Sequence, residues 1–172
     1  MCLTIKDTFH KKGKPLVAEH SILVYKMLER YIGKSYNNQY HTPHMVNPIN
    51  FCDEGDNMYF YKTTRLQKDL KLSPCSSDKY ISKGIHSFSD KKTAIDEVNM
   101  YNEGSLYRMS MHYAVIPKGT KFYIGDDGDI VSTNLVVFKR KKDYDKNKKL
   151  FGRTYELGRY LMDFWHEDCK SK

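Results

Sequence analysis

From Leu106 the chain takes up a period of two that runs to Val115. Tyr107, Met109, Met111, Tyr113 and Val115 point one way, while Arg108, Ser110 and His112 point the other. That spacing describes a β-strand with two unlike faces, and it predicts His112 on a polar, exposed side. Pro117-Lys118-Gly119-Thr120 breaks the strand and Lys121-Phe122-Tyr123-Ile124 resumes it. Gly125-Asp126-Asp127-Gly128-Asp129 follows, and its Asp-Gly pair accepts the positive φ angles of a hairpin turn. Ile130–Phe138 is then a single return strand. A stretch so committed to antiparallel pairing directs the chain toward a sheet-based fold.

The rest of the chain supplies short strands and two helices. Ser21-Ile22-Leu23-Val24-Tyr25-Lys26-Met27-Leu28 reads as a buried strand, rich in β-formers and preceded by a turn at Lys11-Lys12-Gly13-Lys14-Pro15. Residues 33–57 are polar and turn-rich and include His41, Pro43 and His44; so long a loop in a compact domain is functional or mobile. Met58–Tyr61 is a short strand, residues 73–77 form a loop around Pro74 and Cys75, and Lys83–Phe88 is a further short strand. Asp90 offers a helix N-cap before a stripe of Ala94, Ile95, Val98 and Tyr101 that stops at Gly104. Thr154 is placed to cap a last helix with Leu157, Tyr160, Leu161, Phe164 and Trp165 on its apolar side. This order predicts an α+β fold, a mainly antiparallel sheet with one central helix and a C-terminal helix. At 172 residues the chain fits one domain. The division expected is an α+β domain over 1–138, a basic connector over 139–153, and a C-terminal helix over 154–172 packed on the domain.

Charge narrows the choice of partners. The formal net charge is +8, but it is concentrated. Lys139, Arg140, Lys141, Lys142, Lys146, Lys148, Lys149 and Arg153 stand against only Asp143 and Asp145, so residues 139–153 carry +6 and the remainder +2. This segment is either a solvated connector or a nucleic-acid contact that works by releasing counterions from phosphates. Tyr144 and Phe151 interleave with the charges, as stacking residues do in nucleic-acid-binding segments.

Other functions lose support from the sequence. The mean hydropathy of −0.70 and the lack of a long apolar run exclude a spanning helix, so no membrane partner is expected. Lys6 and Asp7 interrupt the apolar start, so Met1–Asp7 does not read as a secretion signal and a cytoplasmic location is expected. Cys2, Cys52, Cys75 and Cys169 form no C-x-x-C pair, which favours reduced thiols over a zinc site or a disulfide framework. The acidic turn at 126–129 lacks the closing Glu of a calcium loop. No cofactor or metal is expected. His86 sits between a Gly and the start of a helix, at a strand end where ligand groups converge, with an ordinary imidazole pKa near neutrality. Ser132 and Thr133 supply small polar side chains for a pocket. Tyr, at 14 residues against 8 Phe and 1 Trp, suits wet pocket walls and half-buried strands alike.

Two segments carry a family likeness. Lys83-Gly84-Ile85-His86-Ser87-Phe88 followed by a helix with Ala94 resembles the "GIHSF or GIHFF, then a helix with Ala" element of a group of small phage and large-DNA-virus proteins. Val115-Ile116-Pro117-Lys118-Gly119-Thr120-Lys121-Phe122-Tyr123, then Ile130-Val131-Ser132, is similar to the "IPKGA, aromatic, glycine turn, Ser strand" element of that group. Val24-Tyr25-Lys26 stands where its opening strand would be. The likeness spans roughly residues 20–138 and brings no activity with it. It implies an accessory binding protein acting in the host cytoplasm.

A fainter similarity runs to the ADP-ribosyltransferase core. Ser82-Lys83-Gly84-Ile85-His86-Ser87-Phe88 and Lys92-Thr93-Ala94 partly echo its "GKGIYFAD, then Ser-Lys-x-Ala" segment, with His86 at the position of a catalytic Tyr. The chain departs from that core in lacking a His-Gly pair after the first strand and a Glu on a late strand. What this likeness implies is a pocket for a nucleotide-like small molecule, with Tyr25, Lys26, His86, Ser87, Ser132 and Thr133 as its candidate lining. Three functions therefore stand side by side: binding of such a ligand or of a host protein, nucleic-acid association through 139–153, and transferase chemistry on NAD.

Overall fold

The computed structural model describes residues 3–4, 9–10, 14–31, 40–42, 48–49, 58–62, 72–73, 80–81, 84–103, 107–125 and 128–161. In chain order the strands are β1 (Leu3–Thr4), β2 (Leu16–Val17), β3 (Ser21–Tyr31), β4 (Tyr40–His41), β5 (Pro48–Ile49), β6 (Met58–Lys62) and β7 (Leu72–Ser73). They continue with β8 (Tyr80–Ile81), β9 (Ile85–Phe88), β10 (Tyr107–Ile116), β11 (Lys121–Ile124), β12 (Asp129–Ser132), β13 (Asn134–Phe138) and β14 (Thr154–Glu156). Helix α1 (Lys91–Asn102) lies between β9 and β10, and α2 (Lys141–Asn147) follows β13. The architecture is a mostly antiparallel sheet with a few helices, as the alternating pattern predicts. Among the described residues no helix is long and apolar enough to cross a membrane.

The spine of the molecule is the β3–β10 pair, in antiparallel register from Ile22↔Ile116 to Tyr31↔Tyr107. The main sheet runs β2-β11-β12-β9-β3-β10-β13-β6. Ser132 ends β12 and Asn134 begins β13, so Thr133 alone connects strands that lie four places apart in the sheet. Four strand spacings span about 19 Å at roughly 4.8 Å each, whereas one linking residue reaches only about 7 Å. The sheet must therefore curl until its two wings face each other. The sequence reads 130–138 as one return strand; the structure bends it at Thr133, whose backbone N–H donates to the Lys121 carbonyl at 3.0 Å.

The curl creates an inside. Ile22, Val24 and Leu28 of β3, Ile85 of β9, Ala114 and Ile116 of β10, Phe122 and Ile124 of β11, Ile130 of β12, and Leu135 and Val137 of β13 form one buried core. The opposite face of β3 and β10 is covered by helices. Asp90 caps α1, its carboxylate accepting from the backbone N–H groups of Lys92 at 2.8 Å and Thr93 at 3.1 Å. Ala94 and Val98 then pack on Tyr25, Met27 and Phe88. Ile95, placed on the same stripe by spacing, is exposed. Tyr144 of α2 closes the neighbouring stretch against Val115, Val136 and Phe138.

The C-terminal part departs from expectation at its first turn. Thr154 is not a helix cap: residues 154–156 form β14, which pairs in parallel with Ser21–Leu23 of β3. The helical turn begins only at 157, and it delivers Leu157 and Tyr160 to the core beside Tyr155. Phe164 and Trp165 lie outside the described residues, as do Cys2, Cys52, Cys75, Cys169 and most of the 33–57 stretch.

Candidate functional site

One edge of β3 is continuous, bonded to β10 along its length; the other is divided among three short partners. β14 takes residues 21–23, β9 meets it at Tyr25↔Phe88, and β4 takes Glu29 and Arg30. Between Tyr25 and Glu29 the described residues provide no strand on that edge, so the sheet is split there. The split is where the polar residues of the interior gather.

Register fixes which side chains share the inner face. His112 pairs with Lys26, and Ser87 pairs with Ile130, which pairs with Ile124. The Tyr25↔Phe88 pair sets Lys26 across from Ser87. One cross-strand row therefore reads His112, Lys26, Ser87, Ile130, Ile124. Its polar members are buried, with relative exposures of 4%, 6% and 2% for His112, Lys26 and Ser87.

Lys26 is the unusual member. Its ammonium donates to the carbonyl oxygen of His86 at 2.5 Å, in the opening left where β3 and β9 part. Among the described residues no carboxylate pairs with it. Burial without a counter-charge lowers its pKa to about 8. Ser87 Oγ, buried on the same inner face, makes no hydrogen bond among the described residues; His86 Nδ1, on the other side of β9, makes none either. Buried polar atoms are normally satisfied, so an unpartnered hydroxyl on the face of a buried cation calls for a partner that the described residues do not supply.

His86 itself behaves differently from expectation. Burial first, and the Lys26 charge second, lower its pKa to about 4, so the imidazole is neutral at neutral pH rather than titrating there. Its ring lies on the opposite side of β9 from Ser87, as alternation along a strand requires. Tyr25 likewise faces α1, in edge-on contact with Tyr113 at 5.4 Å, and burial together with the Glu156 charge raises its pKa to about 12. Ser132 is on the inner face, in register with Ile85, and its Oγ donates to the Asn134 carbonyl at 3.1 Å. Thr133 belongs to the corner, its hydroxyl 3.4 Å from the Lys121 carbonyl. Of the six residues expected to line a pocket, the fold thus brings Lys26, Ser87 and Ser132 to one inner face. The His86 carbonyl reaches Lys26, while Tyr25 and the His86 ring face away.

His112 corrects the sequence reading outright. It is not on an exposed face but in the interior, edge-on to Tyr40 at 5.1 Å, with Nδ1 3.2 Å from the Phe138 carbonyl. Alternation along β10 shows two faces, yet both are covered here, one by helices and one by the curled sheet.

Comparison of the chain with family models, with curated proteins and with solved structures gave no match.

The basic stretch is folded rather than extended. Arg140 donates to both carboxylate oxygens of Asp143 at 2.9 and 3.1 Å, and Lys141 pairs with Asp145 at 2.5 Å. Tyr144 and Phe151, expected to interleave with the charges, turn inward onto Phe138. Lys142, Lys146 and Lys149, at i, i+4 and i+7, form an exposed stripe continued by Arg153, whose guanidinium covers the Tyr155 ring at 4.6 Å. Lys139 and Lys148 flank that stripe. A separate cavity of about 380 Å³ is lined by Leu23, Arg153, Thr154, Tyr155, Glu156 and Arg159. None of the six expected pocket residues lines it, and Glu156 offsets the charge of its arginines. No group of three or more metal-ligating side chains occurs among the described residues.

Proposed function

We propose that the chain is an accessory protein of phage or viral type that binds a phosphate-bearing, nucleotide-class small molecule at the split in its sheet. The observation that carries this reading is Lys26, a buried ammonium that no described carboxylate pairs, on the same face as the Ser87 hydroxyl, which has no hydrogen-bond partner among the described residues. A phosphate oxygen supplies the missing charge and accepts from both groups, and anions bound to Lys in a dry site gain from the low local dielectric. Ser132 adds a hydroxyl on the same face. In this reading the protein works in the cytoplasm of a host cell, α1 is the central helix of an α+β fold, and the segment from residue 157 is a C-terminal helix on the sheet. Calorimetric titration with ATP, NAD, cyclic dinucleotides and pyrophosphate tests it. Saturable binding that Lys26→Met abolishes is expected; no heat from any of the four ends the proposal.

A second reading rests on the exposed stripe of Lys142, Lys146, Lys149 and Arg153, which is suited to a nucleic-acid backbone. It predicts affinity for duplex DNA or RNA that falls steeply between 50 and 200 mM salt and is lost when the three lysines become Ala. Salt-insensitive binding removes it. Transferase chemistry on NAD, implied by the fainter likeness, is tested by incubation with labelled NAD; neither transfer nor hydrolysis would discard it.

A further inference from the structure

Ser110 and His112 form a constellation that ligand binding at Lys26 does not require. They stand two residues apart on β10, facing the same side, with Ser110 Oγ 2.7 Å from His112 Nε2. The other ring nitrogen, Nδ1, lies 3.2 Å from the Phe138 carbonyl oxygen. A carbonyl only accepts, so Nδ1 carries the proton and Nε2 presents its lone pair to the serine hydroxyl. The hydroxyl's other acceptor, the Leu28 carbonyl, is farther at 3.5 Å, so the arrangement is that of an activated nucleophile: a hydroxyl, a neutral base, and a third group that fixes the tautomer of the base. Burial favours the neutral imidazole further.

The surroundings hold this pair in place. Asn102 at the end of α1 clamps the preceding residue, donating from Nδ2 to the Met109 carbonyl at 3.1 Å and accepting from the Met109 N–H at 2.7 Å. Tyr40 braces the imidazole from its edge. Ser110 is half-buried as a residue, whereas its base His112 is buried. Lys26, across from His112 in the register, puts a positive charge on the same inner face.

We propose that Ser110 is a catalytic nucleophile, activated by His112, that acts on small activated esters whose acyl group carries a negative charge. Ser110 Oγ forms a bond to the carbonyl carbon as its proton passes to His112 Nε2. The carbon–alkoxide bond then breaks, the alcohol leaves with that proton, and acyl-Ser110 remains. Water repeats the transfer through the same base and releases the acid. Lys26 selects the anionic acyl chain.

The test uses the full chain, a fluorophosphonate probe, 4-nitrophenyl acetate and the 4-nitrophenyl hemiester of succinic acid. One adduct per chain is expected, located on Ser110 by peptide mass and absent from Ser110→Ala, a change at a half-buried residue that leaves the melting temperature within a few degrees. His112→Gln is expected to slow labelling about 100-fold or more, the usual worth of a general base. The hemiester should turn over faster than the acetate, and Lys26→Met should erase that preference. No adduct, or an adduct that survives Ser110→Ala, overturns the proposal, and equal rates for the two esters overturn the charge assignment. Nucleotide titration of Ser110→Ala separates the two sites: binding retained without wild-type labelling leaves the Lys26 reading standing and removes this one.

Discussion

Lys26 makes the folded state poorer in order to hold a positive charge inside it. Its pKa is lowered from 10.5 to about 8, so the native state binds this proton less well than the unfolded chain does. Stability from this group is therefore complete above pH 10.5 and lost as pH falls through 8. The linkage is worth about 3 kcal/mol at most. Urea unfolding should accordingly show stability rising between pH 8 and 10, before tyrosine ionisation intervenes. Lys26→Met should flatten that rise and stabilise the protein at pH 7 by roughly 1–3 kcal/mol, while abolishing nucleotide binding. A Met variant less stable than wild type at pH 7 would show that the charge is not a burden. His86 acts at the other end of the scale: lowered from 6.5 to about 4, it contributes stability above pH 6.5 that is lost as pH falls through 4. His86→Gln should reduce the loss of melting temperature over that interval, and an unchanged acid limb would refute the assignment. Neither shift was legible in the sequence. A pKa depends on what surrounds the group, and the strand residues set against Lys26 and His86 are 45 or more positions away in the chain.

At the scale of elements, local signals were read well and long-range ones were not. The Asp90 cap, the Pro117–Thr120 turn and the hairpin near Gly128 each depend on backbone conformations that neighbouring residues dictate. Asp90→Ala should cost about 1 kcal/mol in urea unfolding by leaving the first N–H groups of α1 without acceptors. Gly119, at φ +82° with open space around it, should cost about as much when changed to Ala, from backbone strain alone. If Gly119→Ala is neutral, the turn relaxes and the positive φ is not required. By contrast, nothing around Ser132-Thr133-Asn134 marks a corner: no Gly or Pro is there, and the bend exists because the sheet closes. The β14 strand was hidden for a similar reason. Leu157, Tyr160 and Leu161 fit a helical stripe that Thr154 is placed to cap, and only the edge of β3 at residues 21–23 draws Thr154–Glu156 into a parallel strand instead. His112 failed in the same way, since period two gives the sides of a strand but not their covers.

At the scale of the molecule, the core is one body built from both ends of the described chain. Tyr155, Leu157 and Tyr160 are buried in it, and Tyr160 Oη accepts from the Glu19 backbone N–H at 3.1 Å. Burying each such side chain is worth about 1.5–3 kcal/mol, against a net stability of roughly 5–15 kcal/mol for a domain. A chain ended after Arg153 should therefore lose its cooperative thermal transition, and a sharp melt from that truncation would contradict this placement. Tyr160→Phe, which removes one hydrogen bond, should cost only about 1 kcal/mol. The division of β3's second edge among β14, β9 and β4 also has a consequence for how the protein is made. Every neighbour of this strand is synthesised later than the strand itself, β10 some 80 residues later and β14 more than 120. Such contacts give a high contact order and slow folding. On the ribosome, β3 must wait with its apolar residues and both edges uncovered until its partners emerge, the interval in which it most needs a chaperone.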